Sequence, residues 1–200
     1  MLFVLTLIVC VALSSVSTTT SWYSGFLDYR PFTVRTTKFL CTGQPYKYSR
    51  VDKCSIKLYR NGSSSLSFRG TVLKPFKPVY GTIKIWYKSN VNVWRPMLGI
   101  DDRGDICEFF NKNDQQLNPM HRLYRRSLSL MFPNSTFQCP YQGTFEFKDF
   151  IFTDSMFPPF VPVGSYRNDM TILTANNVTV FAFAFYGTVR AKGAVDLSMG

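Results

Sequence analysis

The side chains best suited to chemistry in this sequence of 200 residues are five cysteines, one histidine and twelve carboxylates, and their spacing builds no catalytic set. His121 stands alone, so a paired-histidine acid–base mechanism cannot be assembled from one chain. Neither a G-x-S-x-G elbow nor an H-E-x-x-H zinc motif occurs. Asp149 and Asp154 could in principle serve a glycosidase, but carboxylates this sparse are ordinarily solvated. Asp101, Asp102 and Asp105 cluster without the late Glu of a calcium loop, which points to a solvated turn. With no C-x-x-C pair and one histidine, a zinc site is disfavoured as well. The residues therefore predict a protein that is not an enzyme and needs no metal or cofactor.

The cysteines instead suggest bridges. Residues 1–17 form an apolar run, Leu2 to Leu13, followed by small residues that fit a cleaved secretory signal ending near Ser17. The run is shorter than the ~20 residues that span a bilayer, which weighs against the rival reading of an uncleaved anchor. Cys10 leaves with the signal, so residues 18–200 keep Cys41, Cys54, Cys107 and Cys139, an even set expected to form two disulfides in an oxidising, extracellular setting. Three pairings are open, and sequence proximity favours Cys41 with Cys54 and Cys107 with Cys139. In that compartment glycan is expected at one or more of Asn61, Asn134 and Asn177, each in an N-x-[ST] sequon, the first two in turn-like settings and the third at the tip between two strands.

Elements that would hold such a framework can be read from periodicity. Phe32–Cys41 mixes β-branched and aromatic residues as a strand does, and Cys54–Tyr59 leads to a turn at Asn61-Gly62. Ser65–Leu73 has a period of two, with Leu66, Phe68 and Val72 on one face; Thr82–Lys88 does the same with Ile83, Ile85 and Tyr87. Arg95-Pro96, Gly99 and the aspartates that follow mark loops around a short extended piece. One amphipathic helix is predicted from Asn118 as N-cap and Pro119 at the first helical position, ending before Pro133. Thr144–Phe152, Ser165–Ala175 and Val178–Val189 complete the strands. The class is mainly β, an antiparallel β-sandwich or β-cup with one helix, in a single domain whose core runs from about residue 32 to 190.

Lys and Arg number 23 against 12 Asp and Glu, a net charge of +11 that makes an anionic partner plausible. Arg122, Arg125 and Arg126 gather on the polar face of the helix, where the plain reading is a solvated face and the functional one is contact with a membrane surface or receptor. Nucleic acid is not expected, since no recognised binding motif is present. The 19 phenylalanines are more telling. Alternation places Leu66, Phe68, Ile83, Ile85, Phe145, Phe147, Phe181, Phe183 and Phe185 on faces that would line either a tightly packed core or an apolar pocket.

The second half also carries a family resemblance. Asp105-Ile106-Cys107-Glu108-Phe109, an amphipathic helix, an asparagine shortly before Cys139-Pro140-Tyr141 with Gly143, and Pro162-Val163-Gly164-Ser165-Tyr166 together resemble a large insect family of secreted proteins of unknown function that includes the chemosensory B proteins. That family is distantly similar to the ganglioside-activator and lipid-recognition superfamily. The resemblance implies a β-cup around a hydrophobic pocket, and a non-enzymatic carrier of a lipid or hydrocarbon acting in chemosensation or pheromone response. The alternative is a secreted glycoprotein with a closed core that works through protein or matrix contacts.

Overall fold

The computed structural model describes residues 30–88, 93–133 and 139–193, apart from the side chains of residues 98–102, Met120 and Tyr141. The predicted signal segment 1–17 and Asn134 lie outside the described residues. Among the described residues eight strands make two antiparallel sheets: β1 (Phe32–Cys41), β2 (Ser49–Leu58), β3 (Ser64–Phe76), β4 (Val79–Lys88), β5 (Trp94–Asp105), β6 (Tyr141–Phe150), β7 (Gly164–Thr174) and β8 (Thr179–Ala191). The large sheet has the order β1-β8-β7-β4-β5 and the small one β2-β3-β6. Two α-helices, α1 (Ile106–Asn111) and α2 (Pro119–Met131), occupy the crossover from β5 to β6. The fold is thus the mainly β, two-sheet architecture that the alternation predicts.

The core lies where the inward faces of the two sheets meet. From β3 come Leu66, Phe68 and Val72, from β6 Phe147, from β1 Phe39, and from β8 Phe181 and Phe183, with Met131 closing in from the end of α2. Phe68 meets Phe181 and Phe183 edge-on, with ring centroids 5.4 and 5.0 Å apart, the arrangement in which a positive ring edge faces a negative ring face. Gly70 is required beside them. A Cβ at that position would stand 2.6 Å from the Phe68 ring and 2.8 Å from that of Phe181.

Two departures from the sequence reading concern the crossover. Trp94–Asp105, expected as loops around a short extended piece, is the continuous strand β5, paired along β4 from Tyr80↔Asp105 to Lys88↔Trp94. It is the edge of the large sheet, a position that tolerates Pro96 and glycine. Second, the one predicted helix has a companion. Asp105 ends β5 and caps α1, its carboxylate accepting from the amides of Cys107 and Glu108. α2 itself starts as its sequence directs, with the Asn118 side chain accepting from the His121 amide and Pro119 in the first turn.

Two disulfides pin the architecture at opposite sides. Cys41–Cys54 joins the end of β1 to β2, and Cys107–Cys139 ties α1 to the segment entering β6. These are the pairings that sequence proximity favours. Cys41–Cys54 closes a 13-residue separation across the seam between the sheets. Replacing both by serine should lower the free energy of unfolding by about 3 kcal/mol, read by urea denaturation; an unchanged midpoint would show that the seam holds without the bridge.

Candidate apolar ligand site

The two sheets differ in width, and the site follows from that mismatch. Neighbouring strands lie about 4.8 Å apart, so a five-stranded sheet overhangs a three-stranded one by roughly 10 Å. Contact between β1 and β2 aligns the sheets along one side. The overhang therefore falls on the other side, at β5 and the part of β4 beyond Val79, against which Phe76 of β3 and Phe145 of β6 still pack.

Register places the inward residues of the large sheet in rows. One runs Phe39, Phe185, Asn168, Ile85 across β1, β8, β7 and β4; the next runs Cys41, Phe183, Met170, Ile83. Each row has one buried aromatic ring, and the other members, Cys41 and Phe185 included, are half-buried. Phe39 and Phe183 are buried, whereas Ile83, Ile85, Asn168 and Met170 keep part of their surface accessible although they point inward. Ile83 and Ile85 join neither of the two core clusters. They form an apolar floor beside a packed core.

The floor has defined borders. At one end α1 lies on β4, with Ile106 packed 3.2 Å from the position a Gly81 Cβ would take, and with Val79, Cys107 and Cys139 beneath it in the smaller cluster. At the other end are Tyr87 and Tyr166, whose rings lie 5.2 Å apart and whose hydroxyls donate to the carbonyls of Val163 and Pro162. Burial, with the Tyr87 hydroxyl beside it, pushes the Tyr166 hydroxyl above the ordinary tyrosine range, so it remains a donor. Phe152 borders the aromatic side, edge-on to Phe185 at 6.0 Å and 5.9 Å from Phe157. That segment is held by Asp154, which accepts from the Val34 amide and pairs with Lys192, and by Arg30 donating to the Phe157 carbonyl. Beyond it Phe160 is 76% exposed.

The nine residues chosen by alternation divide between core and floor. Leu66, Phe68, Phe147, Phe181 and Phe183 are buried in the main cluster, and Leu66 and Phe68 are fully enclosed. Phe145 packs against both clusters and Phe185 against the main one. Ile83 and Ile85 lie on the floor. Sequence reasoning missed Phe39, Asn168, Met170 and Phe152. The alternation Tyr166, Asn168, Met170, Ile172 held the signal for the β7 members, with an asparagine interrupting an apolar face.

Elsewhere the predicted features have separate places. Arg125 is half-buried and bonds the Lys112 carbonyl and the Asp114 carboxylate, so it ties α2 to the turn before it, while Arg122 and Arg126 are exposed. His121 stands edge-on to Phe109 at 5.8 Å and is partly buried. Asn61 and Asn177 are exposed in turns, Asn61 accepting from the Ser63 amide and Asn177 in the left-handed region at φ 58°. Among the described residues no group of three or more His, Cys, Asp or Glu side chains could hold a metal ion.

Comparison with known proteins bears on the same stretch. Residues 81–168 match the family described as protein of unknown function (DUF1091). The family resemblance read from the sequence is shown for this stretch. It begins at Gly81, runs through both helices and β6, and ends at Asn168, so it contains Ile83 and Ile85. Among solved structures the chain is similar to a Niemann-Pick type C2 protein from Japanese carpenter ant, at 15% identity and a TM-score of 0.38, over 75% of this chain and 97% of that one. None of the curated proteins matches.

Core and floor should respond differently to truncation. Phe68→Ala removes a fully enclosed ring and should cost about 3–5 kcal/mol of stability, whereas Ile85→Ala on the floor should cost about 1 kcal/mol. Equal losses in chemical denaturation would mean that the floor is packed core.

Proposed function

We propose that this chain is a secreted, non-enzymatic carrier of an apolar ligand of the lipid or hydrocarbon class. The observation that supports it is the floor formed by Ile83 and Ile85, inward-facing apolar surface that joins neither core cluster, with Met170 at its margin against the main one. Leaving such surface wet is unfavourable by roughly 25 cal/mol per Å². A bound apolar molecule covers it and recovers that free energy. The border residues are suited to the task, since both tyrosine hydroxyls are already bonded to backbone and present only their rings.

The setting belongs to the same reading. An apolar leader, two disulfides, and sequons at exposed Asn61 and Asn177 fit an extracellular glycoprotein, with chemosensation or pheromone response as the biological context. No helix among the described residues is long and apolar enough to cross a membrane.

A second reading has its own observation. On the outward face of the large sheet Lys38 and Arg167 stand 5.4 and 5.6 Å from the Tyr186 ring, and Lys88 is 5.6 Å from that of Trp94. Such a cationic and aromatic surface fits an interaction protein that binds an anionic partner and needs no ligand inside.

Native mass spectrometry of the protein secreted from insect cells, followed by organic extraction, separates the two. The carrier reading expects adducts that extraction releases as lipid or hydrocarbon, and uptake of the neutral dye N-phenylnaphthylamine by the emptied protein. Neither adduct nor uptake by folded protein would favour the interaction reading.

A further inference from the structure

The floor contains one polar side chain, and its state restricts what a ligand can be. Asn168 Oδ1 is the one buried side-chain oxygen or nitrogen among the described residues that has no hydrogen-bond partner. Native proteins almost always pair such atoms, and an unpaired one calls for a specific explanation. Here the neighbours explain why the protein itself supplies none. Across the strands Asn168 faces Ile85 and Phe185, and along β7 its neighbours on the same face are Tyr166 and Met170. Three of these have no side-chain donor, and the Tyr166 hydroxyl is committed to the Pro162 carbonyl.

The contrast with the next residue is direct. Asp169, on the outward face, receives the Trp86 indole N–H at 3.0 Å and the Arg167 guanidinium at 2.7 Å. The sheet satisfies its outward carboxylate twice and its inward amide oxygen not at all.

Building on the carrier reading above, we propose that the ligand bears a neutral hydrogen-bond donor, a hydroxyl at the end of an apolar body as in a long-chain alcohol, which donates to Asn168 Oδ1. A plain hydrocarbon would cover the floor and leave the oxygen unpaired. An ionised carboxylate could accept from Asn168 Nδ2 but would leave Oδ1 unpaired and place a charge in a poorly hydrated site, which is unfavourable. A hydroxyl alone among these meets the acceptor without bringing in charge. Asn168 then sets specificity while Ile83, Ile85 and Phe185 supply the apolar contact.

The test is a native mass spectrometry competition between hexadecanol and hexadecyl methyl ether, which share an apolar body but differ in the donor. Wild-type protein should prefer the alcohol by about tenfold or more. Asn168→Leu should abolish the preference and, by removing the unpaired oxygen, raise the melting temperature of the unloaded protein. Uptake of both compounds with equal affinity by wild type would overturn the inference and leave the carrier reading standing. Retention of the alcohol preference by Asn168→Leu would overturn it too. Binding of neither compound by folded wild type would end both.

Discussion

The edge-on packing of Phe68 against Phe181 and Phe183 joins the small sheet to the large one, and the remaining architecture depends on it. These rings fix the spacing between the sheets, and Gly70 leaves them the room they need. Phe39 and Phe147 extend the same contact toward β1 and β6, at 6.1 Å from Phe183 and 5.7 Å from Phe68. A core built from rings on facing sheets is rigid, because each ring is held by its neighbours and changes of shape are poorly tolerated. The Cys41–Cys54 bridge secures the sheets beside it.

Fixing the sheets on that side decides what happens on the other. Once β1 lies against β2, the three strands of the small sheet cannot cover the five of the large one. α1 covers part of the remainder by placing Ile106 over Gly81, and the Cys107–Cys139 bridge anchors it there. Ile83 and Ile85 lie past the reach of both, with Asn168 beside Ile85 on β7 and Met170 at the margin of the main cluster. The unmatched width of the sheets is thus the physical origin of the floor, and rigidity of the aromatic core keeps the sheets from shifting to close it.

Much of this was legible in the sequence. A period of two assigned the inward faces of β3, β4 and β8, and Asn118 with Pro119 marked the start of α2. What could not be read was which inward residues would find a partner sheet. Phe183 and Ile83 look equivalent by alternation, yet register sets them in one row with Met170 between them, one inside the aromatic cluster and one beyond it. That distinction depends on strand order, which alternation does not encode. β5 was hidden because proline, glycine and aspartate signal loops, while an edge strand paired on one side accepts them. Asn168 was passed over because a lone polar residue in an apolar strand has meaning only when its neighbours across the sheet are known.

The central claim is that the core is closed and the floor beside it takes the ligand. Nuclear magnetic resonance of protein carrying labelled isoleucine and leucine methyl groups tests it most directly, by recording nuclear Overhauser contacts to the chain of bound hexadecanol. The account predicts contacts from the Ile83 and Ile85 methyls and none from those of Leu66, which is fully enclosed. Contacts from Leu66, or binding that leaves Ile83 and Ile85 untouched, would contradict it.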